Sequence, residues 1–85
     1  MKQFVYCVFD SKVAAYGTPF TTKNEPLAIR SFERACTDPA SDLSLFPDDF
    51  HLYKIGEFDD DTGELSPNFP PVHLVGARAF NKHKE

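Results

Sequence analysis

The stretch Lys2 to Asp10, KQFVYCVFD, constrains the fold more than any other part of this 85-residue chain. Side chains alternate along a strand, so Phe4, Tyr6 and Val8 share one face and Val5, Cys7 and Phe9 the other. Both faces are apolar. A strand of that kind sits centrally in its sheet or is covered on both sides. The remaining residues must supply its neighbours and its cover.

Asp10 to Lys12 reads as a turn, and Val13 to Tyr16 as a short strand returning beside the first. Tyr16 to Thr22, YGTPFTT, is punctuated by Gly17 and Pro19 and reads as a loop or extended connection. Asn24 to Thr37 is predicted to be a helix. Asn24 is a good N-cap, Glu25 suits the positive end of the helix dipole, and Pro26 falls where its missing N–H costs little. Ala28, Ile29, Phe32, Ala35 and Cys36 form the stripe to be buried, with Arg30, Glu33, Arg34 and Thr37 on the wet side. Asp38-Pro39 ends the helix.

Ser41 to Phe46 is read as a helical turn that brings Leu43, Leu45 or Phe46 into the core. Phe50 to Leu65, FHLYKIGEFDDDTGEL, reads as a strand, an acidic turn and a returning strand. Alternation puts His51, Tyr53, Ile55 and Glu57 on one face and Phe50, Leu52, Lys54, Gly56 and Phe58 on the other. Pro67, Pro70 and Pro71 confine the return to an edge or a loop. Val72 to Phe80, VHLVGARAF, is apolar enough for a last short strand or for packing across the sheet.

The predicted class is α+β. A small three- to four-stranded sheet carries one amphipathic helix packed on one face, in the order β-(β)-α-β-β. Strands before and after the helix pair in parallel through a right-handed crossover, or stand apart with another strand between them. Residues 1–85 form a single domain with a frayed basic tail at about 81–85. One helix covers one face, so the second face needs VHLVGARAF or another subunit. This is the ground for expecting a homodimer.

No apolar run approaches the ~20 residues that span a bilayer, and the N-terminus shows no signal-peptide pattern, so an intracellular protein with no membrane partner is expected. Net charge is −4, distributed as +2 over residues 1–37, −8 over 38–65 and +2 over 66–85. The basic residues lie at both ends and the acids in the middle. Folding can collect the cations on one surface, which permits a modest nucleic-acid site without requiring one.

Cys7 and Cys36 lack metal-ligand spacing and read as small core hydrophobes, with a disulfide or a reactive thiol as the alternative. Asp59, Asp60 and Asp61 with Gly63 and Glu64 resemble a calcium loop at a glance. They lack its alternating ligands and distal glutamate, and a solvated hairpin turn is the simpler reading. His51, His73 and His83 share no spacing that assembles a zinc site, and no phosphate loop or nucleophile signature is present. No metal, no cofactor and no enzymatic activity are expected. Single-stranded nucleic acid is held by cations that follow phosphates and aromatics that stack on bases. The candidates are Lys12 and Lys23 flanking Tyr16 and Phe20, Arg30 and Arg34 on one helix face, and Arg78 and Lys82 near the C-terminus. Packing in the core for the two aromatics, and a solvated face for the arginines, is the competing account.

Several stretches, taken in order, resemble the small non-structural protein of gokushovirus-type microviruses, phages with single-stranded DNA genomes. They are AYGTPF at Ala15 to Phe20, EPLAIRSF at Glu25 to Phe32, Asp38-Pro39, and FPDDFHLYKIGEFDDDTGEL at Phe46 to Leu65, with a weaker match at Ala77 to Phe80. The resemblance implies a DNA-binding accessory factor in viral single-stranded DNA synthesis or genome packaging. It would work in the host bacterial cytoplasm and outside the virion. The family supplies no catalytic or binding residues to transfer. The alternative is an interaction module that contacts viral or host replication proteins, or capsid-assembly proteins, without touching DNA.

Overall fold

In the computed structural model, which describes residues 1–80, the chain forms β1 (Lys2–Asp10), β2 (Ala15–Tyr16), β3 (Phe20–Thr22), α1 (Glu25–Thr37), α2 (Asp42–Leu45), β4 (Phe50–Asp59) and β5 (Leu65–Gly76). A 3-10 turn, Ala77–Phe80, follows. The sheet has five strands, in the order β2-β1-β4-β5, with β3 also on β1. Every pairing is antiparallel. This corrects the expected sheet of three to four strands carrying one helix: the protein is mostly antiparallel sheet. The extra strand is Phe20–Thr22, whose backbone pairs with Phe4–Tyr6 just past the Gly17–Pro19 interruption. No parallel pair forms across the helix. β3 and β4 run the same way, but β1 lies between them and bonds to both.

β1 is central, as its two apolar faces require. Tyr6 on its even face is fully buried with Leu52 of β4 and with Ala28, Phe32 and Cys36 of α1. The helix is built as its sequence dictates. Asn24 accepts the Leu27 N–H at 3.0 Å through its side-chain oxygen, and Asp38 closes the far end. In α2 only Leu43 packs on the core, while Leu45 and Phe46 stay exposed. Val72 to Gly76 completes β5, and the turn after it sends Ala77 and Phe80 into the same core. Among the described residues, helices and turn all lie on the Tyr6 side; no helix lies on the opposite face, where Val5 and Cys7 are buried and Cys7 meets the Gly17 carbonyl. The two cysteines fall on opposite faces of the sheet, free and buried.

A bulge at Ile55 changes which residues share a face. Val5 pairs with Gly56 and Tyr6 with Lys54, so Ile55 is left without a partner on β1. Beyond it the alternation slips by one. Glu57 joins the helix side, opposite Phe4, and Gly56 and Phe58 move to the open side, opposite Val5 and Gln3. The ion pairs of Glu57 with Lys2 and Lys54, at 3.8 and 3.9 Å, follow from that slip. A Cβ on Gly56 would stand 2.7 Å from the Ser66 carbonyl oxygen. Gly56→Ala is therefore expected to lower stability by about 1–3 kcal/mol, read as a drop in thermal midpoint.

Both sheet edges are interrupted. Gly17–Pro19 breaks one, and the other carries prolines and a stretch, residues 68–71, that has no partner on β4. Neither edge offers a long unpaired ladder for another strand.

Candidate nucleic-acid interface

The open face is where side chains that stack on bases collect. Phe9 lies beside Tyr16 across the β1–β2 pair, with ring centroids 4.6 Å apart. Tyr53 of β4 meets both, at 6.0 Å from Phe9 and 5.7 Å from Tyr16, in edge-to-face geometry. His73 of β5 stands 5.3 Å from Tyr53, and His51 5.2 Å from His73. Five rings from four strands thus make one continuous row across the sheet. Tyr16 is 47% exposed and His73 is exposed, while the others are half-buried. His51 Nδ1 and His73 Nε2 lie 3.2 Å apart, so one ring donates to the other.

The row continues into an apolar groove of about 490 Å³ towards the other end of β1, lined by Val5, Pro19, Ile55, Leu65 and Pro67. Cys7 lies buried between the two regions, its thiol directed at the Gly17 carbonyl 3.6 Å away. Burial pushes the Cys7 thiol pKa up, and burial with Glu33 nearby pushes that of Cys36 up to about 11. Both are protonated at neutral pH and poorly nucleophilic. A thiol reagent at about pH 8 is expected to titrate neither in the native protein and both in urea, followed by absorbance.

The residues singled out from the sequence are scattered. Tyr16 is part of the row. Phe20 is on the helix side, its ring 5.8 Å from that of Tyr6. Arg30 and Arg34 line a shallow exposed groove with Glu33 and Thr37 on the outer side of α1, the layer opposite the row. Lys12 borders a depression with Asp10, Asp42 and Asp49, and Lys23 is exposed just before the helix. Arg78 holds Asp48 in a two-pronged pair at 2.9 and 3.0 Å, which lowers the Asp48 pKa and raises its own. Lys82 and the basic tail lie outside the described residues.

The acidic turn is tied down internally. The Met1 ammonium sits 2.8 Å from Asp60, 2.6 Å from Asp61 and 3.7 Å from Asp59, and occupies the centre of the three carboxylates. Hydrogen bonding to Asp60 and Asp61 raises the pKa of the ammonium, and the hydrogen bond it donates, with its charge, lowers that of Asp60. Among the described residues no other group of three or more metal-ligating side chains comes together. Among the described residues, no helix is long and apolar enough to cross a membrane.

Sequence reading paired Tyr16 with Phe20 and missed Phe9, Tyr53, His51 and His73. Alternation along β1 and β4 already placed Phe9 on the face away from Tyr6, and His51 with Tyr53. Residues 3–80 match the family described as phage ORF5 protein. Protein ORF5 of Chlamydia phage 1 is 35% identical over 71 residues, which cover 79% of this chain and 74% of that protein. No solved structure matches.

Proposed function

Because the chain belongs to the phage ORF5 protein family, we propose that it is a non-enzymatic accessory protein of a single-stranded-DNA phage that binds single-stranded DNA on its open sheet face. It acts in the host cytoplasm, outside the virion, during progeny DNA synthesis or packaging. The observation that carries this reading is the ring row Tyr16, Phe9, Tyr53, His73 and His51, of which Tyr16 and His73 are exposed and the others half-buried. Successive bases stack on such rings, with little regard to sequence. Duplex DNA hides its base faces and has nothing to offer the row.

The electrostatics of the face set the expected affinity. Gln3, Val5, Cys7 and Phe9 of β1 and His51, Tyr53, Ile55 and Phe58 of β4 include no Lys, Arg, Asp or Glu. Binding must then rest on stacking, whereas most non-specific binders rely on phosphate contacts. Three or four stacked rings correspond to a dissociation constant of about 10–100 µM. With two or fewer phosphates engaged, log K falls against log salt with a slope no steeper than about −1.5.

Anisotropy of a labelled mixed-sequence oligonucleotide, titrated at low and then physiological salt, tests the reading. Saturable binding with a shallow slope and no affinity for the matching duplex is the expected result. Absence of binding at low salt would overturn it. The uncharged face would then fit a protein surface better than a polyanion, with a viral or host replication protein or an assembling capsid as the partner.

A further inference from the structure

We propose that the chain forms a two-fold homodimer in which Phe69 of each copy seats in the groove between Val5, Pro19, Ile55, Leu65 and Pro67 of the other. This inference does not rest on the DNA reading. Phe69 is 88% exposed, the highest value of any large hydrophobic side chain described. It belongs to the residues of β5 between Pro67 and Val72 that have no partner on β4, while Pro67 and Val72 themselves pair with Gly56 and Lys54. An aromatic ring is thus displayed at the sheet edge, next to an apolar groove that its own chain leaves empty. A protruding ring and a groove on one surface are self-complementary, and a two-fold axis satisfies both at once.

The groove has no charged lining residue, which excludes most surfaces and suits a second copy of the same edge. Two acidic chains repel, but three carboxylates of the nearby turn, Asp59, Asp60 and Asp61, surround the Met1 ammonium of their own chain. The area is of the right order for a weak dimer. An aromatic side chain buries about 150–250 Å², and its groove loses a similar amount, so two exchanged rings remove on the order of 800 Å². Leu65, 66% exposed, is part of that groove, and a total of this size belongs with weak, transient interfaces below about 1,200 Å². The aromatic row, at the opposite end of the open face, remains uncovered in each copy.

Sedimentation velocity of the full chain without DNA, from about 1 to 200 µM, tests the proposal, because interfaces of this size associate in the micromolar range. The expected result is a monomer–dimer equilibrium that Phe69→Asp and Leu65→Asp each abolish, with circular dichroism unchanged. Phe69→Leu, which keeps an apolar knob, is expected to retain a weakened dimer and guards against a variant that fails to fold. A wild-type monomer at the highest concentration overturns the proposal. So does a dimer that persists in either aspartate variant, since the second copy would then sit elsewhere. Oligonucleotide binding by the Phe69→Asp monomer reports on the ring row alone, so the two readings fail separately.

Discussion

Phe32→Ala is expected to lower the unfolding free energy by about 3–5 kcal/mol. Phe32 is 2% exposed and joins α1 to three other parts of the fold: Tyr6 on β1, Leu52 on β4, and Phe80, whose ring it meets edge-on at 6.2 Å. Alanine would leave a cavity that the sheet cannot collapse to fill. Domains of this size have about 5–15 kcal/mol in total, so the variant would sit close to its unfolding transition. Urea denaturation followed by far-UV circular dichroism measures the loss. A change below about 1 kcal/mol would mean that α1 is not docked on the sheet as described.

The second large effect concerns function. Tyr16→Ala with Tyr53→Ala removes two rings of the row, each worth about 1–3 kcal/mol in base stacking. Affinity for single-stranded DNA is expected to fall by at least about 30-fold, out of the measurable range for a binder in the tens of micromolar. Both rings are partly exposed and lie outside the helix-side core, so the variant should keep the wild-type circular dichroism spectrum. Arg30→Glu with Arg34→Glu is the informative contrast. The sequence makes Arg30 and Arg34, on one wet helix face, candidates for phosphate contact. They lie on the layer opposite the row, and binding should survive their reversal. Loss of binding in the arginine variant and retention in the tyrosine variant would transfer the site to the helix.

The helix was legible because every signal for it is local: the Asn24 cap, Pro26 in the first turn, the stripe through Phe32 and the Asp38-Pro39 stop. The acidic hairpin turn was legible for the same reason. What was not legible depends on register between distant segments. Tyr16 and Phe20 are four residues apart and would share a face in an unbroken strand. The pairing sum with β1 shifts by one across Gly17–Pro19, from Phe9↔Tyr16 to Tyr6↔Phe20, so the two rings end on opposite faces. Ile55 does the same to β4, and Glu57 and Phe58 exchange sides. A bulge leaves almost no trace in composition. Gly56 beside it was visible, but nothing local said that the Ser66 carbonyl would pass so close. The ring row draws on β1, β2, β4 and β5, and no window of sequence contains it.

The position of β1 has a consequence for how the protein comes to exist at all. β1 occupies the centre of the sheet, and its main partner, β4, is made much later along the chain: Lys2 pairs with Asp59 and Asp10 with Phe50. On the ribosome, β1 can meet β2 and β3 early but must wait for β4 with an apolar flank unpaired. Sheets dominated by such distant pairings fold in milliseconds to seconds, orders of magnitude more slowly than helical bundles of equal length. During that interval the unpaired apolar flank leaves the chain open to aggregation. The folded yield of this protein is therefore expected to rise with chaperone supply, read as the soluble fraction at matched expression.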